Sequence, residues 1–242
     1  MSLTLRNLML SCCLAVFPLA QLFGAPILGD VADQFGRKKA FYITIGGAVL
    51  GYILSGVCIS SGSFTFLIIS RIITGVFSGN LAICLAAIAD VSHDETSRSK
   101  NFSIIVIVTG ISWIVAMFVG GFLADRQISN LFTPSLPFYI TAFLSFLSLI
   151  AIAIWFRESH KTQKKFKIDI FEGIKNITQT FYIKNLKPLY LVYLLWILGW
   201  AVVFQWFNPY SIEHYDATDR QITWGMCLFG LTWMAGGYFV ND

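Results

Sequence analysis

The sequence predicts an all-helical membrane protein that crosses the bilayer about seven times. Hydrophobic residues make up 56% of its 242 residues, charged residues only 12%, and the mean hydropathy is +0.70. Soluble globular domains carry about 25% charged residues, so this composition excludes that class. A membrane-spanning helix needs about 20 mostly apolar residues. Seven segments meet that requirement: 8–28, 40–60, 64–88, 102–124, 136–155, 188–207 and 222–240.

The connections between these segments predict the orientation in the membrane. If successive connections alternate sides, most of the 17 Lys and Arg residues fall on the side that holds the connections at 29–39 and 157–187. Basic residues are enriched in cytoplasmic loops, so both connections are predicted to be cytoplasmic. The same topology accounts for the net charge of +4 without a nucleic-acid partner. We expect the lipid bilayer as the partner and a multi-pass location in the bacterial inner (plasma) membrane.

The connection at 157–187 is the longest and predicts the division into domains. An N-terminal helical bundle occupies 1–156, a cytoplasmic linker 157–187, and the start of a second bundle 188–242. Apolar residues recur in the linker at three- and four-residue spacing: Ile168, Phe171, Ile174, Ile177 and Phe181. This spacing favours a short amphipathic helix on the membrane surface, with a disordered basic linker as the alternative.

The first connection has the pattern Gly-x-x-x-Asp-x-x-Gly-Arg-Lys-Lys over residues 29–39. Gly29 is predicted to let another backbone come close, and Gly36 to permit a tight reversal. Asp33 is predicted to lie past the helix end, where it can face the N-terminus of a neighbouring helix. Arg37 and Lys38 are expected in the first turn of the next helix, at the membrane surface. For the charges alone, an ordinary basic loop is the alternative.

The third span carries the pattern Arg71-x-x-x-Gly75-x-x-x-Gly79. A charged side chain inside a bilayer costs a few kcal/mol, so Arg71 is expected to face a polar cavity or partner, with snorkelling to the outer interface as the alternative. The two glycines lie on one helix face and are predicted to allow close helix packing. Asp90 ends this span, and we expect its carboxylate to pair with Arg37. Exposed pairs of this kind are worth under about 1 kcal/mol each, enough to bias a conformational equilibrium.

Catalytic and metal sites have no visible pattern in the sequence. All five cysteines lie inside apolar runs, and no Cys-x-x-Cys pair occurs. The three histidines lie in connections, and no phosphate-binding Gly-rich loop or His-Glu-x-x-His helix is present. We therefore expect no metal, no cofactor and no enzyme.

Taken together, these patterns resemble the major facilitator superfamily. The first connection is similar to that family's Gly-x-Leu-Ala-Asp-Arg-x-Gly-Arg-Arg element, with Gln34 in place of the usual basic residue. The residues around Asp90 are similar to its Ile-Ala-Asp-Ile helix ending. Glu158 lies in a segment that resembles the Pro-Glu-Ser-His-Lys ending in tetracycline and multidrug exporters, with Arg157 replacing the proline. The resemblance implies a partial major facilitator bundle and a conformational-switch motif: Gly29, Asp33, Gly36, Arg37, Lys38, Asp90 and Glu158.

The resemblance further implies a secondary transporter that works by alternating access between two bundles. It is closest in pattern to drug:proton antiporters, which favours efflux of small drug-like or amphipathic compounds, with protons as a candidate coupling ion. Candidate residues of the substrate or ion pathway are Gln21, Arg71, Asn80, Ser112, Trp113 and Gln205. Interhelical hydrogen bonding is the alternative for the polar members. Gly120 and Gly121 are further packing candidates.

Two departures from the exporter pattern keep other functions open. The fifth-helix element reads Ala-Met-Phe-Val-Gly-Gly over 116–121 and lacks the usual Gly-Pro, and Gly51 stands where tetracycline exporters carry an aspartate. No Asp or Glu lies well inside any of the seven spans. Uptake or facilitated diffusion of a nutrient or metabolite is therefore one alternative, and a non-transporting truncated membrane protein is another.

The ends of the chain also bear on this assignment. Residues 29–33 resemble residues 237–241, as expected for a fold built from repeated halves. This correspondence predicts that the chain holds helices 2–6 and 7–8 of the family pattern and lacks the first helix and the last four.

Overall fold

The computed structural model of the chain describes residues 3–92, 94–126, 128–160, 175 and 187–240. This part of the chain is helical and contains no β-strand, which confirms the predicted all-helical class. Its eight helices are α1 (Leu3–Phe35), α2 (Arg37–Ser60), α3 (Phe64–Val76), α4 (Asn80–Val91), α5 (Glu95–Ala124), α6 (Leu136–Trp155), α7 (Lys187–Tyr215) and α8 (Asp219–Val240).

Six stretches of helix are long and apolar enough to cross a membrane, so the protein is a multi-pass membrane protein. They are Leu5–Phe35, Arg37–Ser60, Phe64–Val91, Glu95–Ala124, Leu136–Trp155 and Lys187–Tyr215. The seventh predicted span lies in α8, a helix of 22 residues that is not among these six. The predicted amphipathic helix of the linker lies outside the described residues, and the predicted domain boundaries stay a prediction.

The third predicted span differs from expectation because it is interrupted between α3 and α4. The interruption packs closely on the first two helices. A Cβ added to Gly24 of α1 would press against the carbonyl of Val76, and a Cβ added to Gly47 of α2 would press against the ring of Phe77. The mean hydropathy of an 18-residue window in Phe64–Val91 is 2.0, and averaging over such a window conceals the break at Ser78 and Gly79.

The most extensive helix contacts join α2 to α6, α5 to α8, and α3 to both α1 and α2. A buried apolar cluster joins α1, α2 and α4 and consists of Ala32, Ala40, Phe41, Ile45 and Ile83. The ring of Phe41 meets that of Phe156 edge to face, with 5.5 Å between centroids. Elsewhere many large apolar side chains are exposed, and α7 has no buried residue. Exposed apolar helix faces of this kind suit contact with lipid.

Three of the four predicted packing glycines lie against a neighbouring helix, although the break after Val76 places Gly79 outside α3 and not on one helix face with Gly75. A Cβ on any of the three would meet a neighbouring helix: Gly75 and Gly79 would meet α1, and Gly121 would meet α8. Nothing lies within 4 Å of the Cβ position of Gly120, and its packing role stays a prediction. Adjacent residues of a helix point about 100° apart, so a Gly-Gly pair can present only one of its members to a given neighbour.

Candidate functional site

The reversal between α1 and α2 depends on a single residue, Gly36. Its φ of 96° and ψ of 155° lie in a region that other residues rarely adopt, which confirms the tight reversal predicted here. The rest of the predicted turn is helical, because α1 continues to Phe35. Asp33 therefore lies in the last turn of α1 and not past its end. The close backbone approach predicted at Gly29 is also wrong, since nothing lies within 4 Å of its Cβ position.

Arg37 forms the centre of the site. It lies in the first turn of α2, as predicted, and its side chain is only 9% exposed because the ends of neighbouring helices enclose it. Its Nη1 donates to Oδ1 of Asp33 at 2.5 Å, and its Nε donates to Oδ2 of Asp90 at 3.0 Å. The predicted pairing with Asp90 is thus confirmed. Because Arg37 opens α2, these two bonds connect the ends of α1, α2 and α4.

Glu158 caps the N-terminus of α2. Its carboxylate accepts hydrogen bonds from the backbone N–H of Arg37 at 2.8 Å, of Lys38 at 3.1 Å and of His160 at 3.2 Å. Burial raises the pKa of Glu158, and hydrogen bonds from four backbone N–H groups lower it by more, so the pKa is below its ordinary value. The position predicted for Asp33, facing a helix N-terminus, is therefore occupied by Glu158. Helix N-termini carry partial positive charge, which favours a carboxylate there.

Two further contacts close this cluster. Lys38 donates from Nζ to the carbonyl oxygen of Ala153 in α6 at 3.0 Å. His160 Nδ1 lies 3.8 Å from Oδ2 of Asp90. The ends of α1, α2, α4 and α6 thus meet at one cluster, the Arg37 junction, formed by Asp33, Gly36, Arg37, Lys38, Asp90, Glu158 and His160.

Arg71 lies apart from this junction, among α2, α3 and α6. Its Nη2 donates to Ser55 Oγ at 2.8 Å, and its guanidinium carbon lies 5.3 Å from the ring centroid of Phe138. Ser55 Oγ is in turn hydrogen-bonded to Ser70 Oγ at 2.9 Å. The Nε of Arg71 is buried without a hydrogen-bond partner. The predicted polar environment is present, although it consists of hydroxyl groups and an aromatic face.

A cavity of about 350 Å³ lies between α5, α7 and α8. Small and aliphatic residues form part of its wall. The rest is formed by five aromatic residues and one residue with a hydroxyl group: Trp113, Tyr193, Trp196, Trp200, Phe229 and Thr109. We call it the aromatic cage. Of the six predicted pathway residues, only Trp113 lines it. Asn80 has a buried Oδ1 without a hydrogen-bond partner, Gln21 is half-buried on α1, and Ser112 and Gln205 are exposed. The pathway roles of these residues stay predictions.

The sequence reading missed the cage residues on α7. Tyr193, Trp196 and Trp200 follow one another at i, i+3 and i+7, which places them on one helix face. That spacing is a usable signal. The signal is ambiguous because tryptophan and tyrosine in a membrane helix also suit the interface with water.

Comparison with known proteins agrees with the fold. The family model described as Major Facilitator Superfamily matches residues 2–241. The class B tetracycline resistance protein of Escherichia coli is 26% identical over 76% of this chain and 43% of its own length. The class H protein of Pasteurella multocida is 31% identical over 62% of this chain and 35% of its own length.

A solved structure shows the same fold. The human organic anion transporter MFSD10 (TETRAN) superposes with a TM-score of 0.70 over 97% of this chain and 56% of that chain, at 17% identity. The chain therefore spans between a third and somewhat more than half of the length of these relatives.

Proposed function

Because this chain belongs to the Major Facilitator Superfamily, we propose that the protein is a secondary transporter that works by alternating access. It moves a small molecule across the membrane and performs no catalysis. The observation that carries this proposal is the Arg37 junction, where one buried guanidinium bonds carboxylates from two other helices.

The junction has the properties of a reversible latch. Asp33 is 62% exposed and Asp90 is 23% exposed, so water can replace Arg37 as their partner. Pairs with partly exposed carboxylates are worth about 1 kcal/mol, and the buried guanidinium places these two at the upper end of that range. Bonds of that strength hold one arrangement of the helix ends and still break during a transport cycle. We propose that Gly36, Arg37, Lys38 and Glu158 act with the two aspartates as a cytoplasmic switch of this kind.

We propose efflux of small drug-like or amphipathic compounds as the direction and substrate class. The tetracycline resistance proteins among the relatives support this choice. The volume of the aromatic cage, about 350 Å³, falls in the range of sites for drug-sized ligands. Protons are the proposed coupling ion, and the coupling carboxylate would then lie outside these 242 residues, since no Asp or Glu lies well inside the seven apolar segments.

A second candidate is uptake or facilitated diffusion of a nutrient or metabolite, and one observation favours it. Gly51 stands where tetracycline exporters are expected to carry an aspartate. A Cβ at Gly51 would press against the side chain of Thr74 and lie 3.1 Å from its backbone nitrogen. The space that an aspartate would need at this position is therefore filled by α3, and a proton site there is not available.

Transport by the purified protein in lipid vesicles tests the proposal. A panel of drugs and metabolites is offered, and a pH-sensitive dye follows the lumen. Substrate movement with a pH change supports coupled efflux, movement without one supports the facilitator, and no movement by correctly inserted protein contradicts transport.

The latch is tested separately with Asp90→Asn. Loss of a pair worth about 1 kcal/mol shifts a two-state equilibrium roughly fivefold, and we expect flux to change by that order at unchanged membrane abundance. Glu95→Gln is the matched control, because Glu95 is an exposed acid at the start of α5, outside the junction. Equal flux in the two variants would contradict the role of Asp90.

A further inference from the structure

We propose that the aromatic cage binds an organic cation whose positive charge is delocalised or shielded by alkyl groups. This inference rests on the proposed function, because it names the class of substrate that the transporter would carry. Binding itself can be measured without transport.

The chemistry of the walls carries the proposal. Three tryptophans, a tyrosine and a phenylalanine line the cavity, and Thr109 adds a hydroxyl. No charged side chain is among the described residues that line it. Aromatic faces carry partial negative charge and attract cations, most strongly when the ring is an indole.

The same walls discriminate against other ligands. A compact, strongly hydrated cation would lose water without gaining a carboxylate, which is costly. An anion would be repelled wherever a ring presents its face, which carries partial negative charge. A diffuse organic cation loses little hydration and gains the attraction of several ring faces. A neutral aromatic molecule packs equally well but lacks that attraction.

The ring of Phe204 contacts three of the rings that line the cage. Its centroid lies 4.2 Å from that of Trp200, 4.6 Å from that of Phe229 and 5.7 Å from that of Trp113. These three rings belong to α7, α8 and α5. One side chain thus fixes a ring from every helix of the cage, and we assign Phe204 as a positioning residue.

Arg71 cannot reverse this preference from where it lies. Its guanidinium contacts Ser55 and Phe138, and neither of these lines the cage. The cage is therefore expected to select cations, although the human protein MFSD10, which shares its fold, is an organic anion transporter.

Binding to the intact protein in lipid nanodiscs tests the preference with three bicyclic probes of similar shape. N-Methylquinolinium is the cation, 1-methylnaphthalene the neutral molecule and 1-naphthoate the anion. Equilibrium dialysis against empty nanodiscs removes partition into lipid. We expect saturable binding of the cation about tenfold tighter than that of the neutral probe, and no saturable binding of the anion.

Substitutions locate the site. Trp196→Leu is expected to weaken cation binding about three- to tenfold and neutral binding less, whereas Trp196→Phe keeps part of the preference. Trp155→Leu is the matched control, because Trp155 is an exposed tryptophan at the end of α6, away from the cage. Phe204→Leu is expected to lower the ratio of cation to neutral affinity, and Phe204→Tyr to retain it. Thermal unfolding confirms that each variant is folded.

The outcomes separate this inference from the proposed function. Equal affinity for cation and neutral probe, tighter binding of the anion, or equal effects of Trp196→Leu and Trp155→Leu would overturn the cage. Transport of some compound without a preference for cations would support the proposed transport function and contradict the proposed cation site. Saturable cation binding that depends on Trp196, without any flux, would support the proposed cation site and contradict the proposed transport function.

Discussion

The Arg37 junction and the aromatic cage are held by different kinds of contact. At the junction, the Nη1, Nε and backbone N–H of Arg37 each donate to a carboxylate oxygen at 3.0 Å or less. In the cage, rings meet at centroid distances of 4.2 to 5.7 Å, and Trp196 is 52% exposed. Hydrogen bonds depend steeply on angle and distance, whereas ring contacts tolerate several geometries.

This difference suggests a division of labour between the two regions. A site that must pass through two defined states needs contacts that are either made or broken, as at the junction. A site that accepts related ligands needs walls that adapt, as in the cage. A substitution that distorts the backbone of the junction should therefore cost more stability than one that tightens the packing beside the cage.

The largest effect is expected for Gly36→Ala. Its positive φ strains any other residue by about 1–3 kcal/mol, and the new Cβ would push the Glu158 carboxylate from the N-terminus of α2. Gly29→Ala is the matched control within the same motif. Nothing lies within 4 Å of its Cβ position, and alanine favours a helix over glycine by about 0.5–1 kcal/mol.

Thermal unfolding in detergent measures both variants. We expect a clear fall in Tm for Gly36→Ala and no fall, or a small rise, for Gly29→Ala. An equal fall in Tm for the two variants would contradict this explanation, because only Gly36 of the two has a positive φ and a side chain close to its Cβ position.

The two glycines also show what a motif can and cannot predict. The family pattern correctly predicted the reversal at Gly36 and the pairing of Arg37 with Asp90. It gave Gly29 a packing role, because spacing along a chain does not state which way a helical residue points. The Glu158 cap was not predicted, since it lies 121 residues from Arg37 and the pattern treated it as one more surface carboxylate.

The aromatic cage was predicted less well than the Arg37 junction, for a physical reason. The seven apolar segments predicted every described helix from hydropathy, although not the break between α3 and α4. Hydropathy does not distinguish a tryptophan that faces a cavity from one that faces lipid, so Trp196 and Trp200 were missed. Only Trp113 was proposed, from its place on a helix that lines the cavity in related transporters.

The packing of α5 on α8 beside the cage provides the next test, with an intermediate effect. A Cβ on Gly121 would lie 2.6 Å from Oγ1 of Thr223, so Gly121→Ala should cost about 1 kcal/mol through overpacking. Gly120→Ala is the control on the adjacent residue, whose Cβ position is open. A lower Tm for Gly121→Ala alone is expected. If Gly121→Ala has no effect, then α5 and α8 move apart easily. The helices around the cage would then adapt more readily, relative to the Arg37 junction, than proposed.

The smallest effect concerns Glu158 and depends on pH. Its pKa is lowered in the folded protein, so its contribution to stability is present above the pKa of the unfolded chain and is lost as the pH falls through the lowered value. The carboxyl is largely exposed, and water screens it, so the contribution is under about 1 kcal/mol. Wild-type Tm should therefore fall towards that of Glu158→Gln below the ordinary range of glutamate, while the two differ slightly at neutral pH.

The control for Glu158 is Glu95→Gln, for which we expect no pH-dependent difference from wild type. A Glu158→Gln variant that matches wild type at every pH would show that water caps α2 as well as the carboxylate does. The contrast between the two regions would then rest on Arg37 and its aspartates, and this end of α6 would be held to α2 by the bond from Lys38 to Ala153 and by the ring contact of Phe41 with Phe156. In that case the polar latch would join the ends of α1, α2 and α4, and α6 would stay on α2 chiefly through apolar packing.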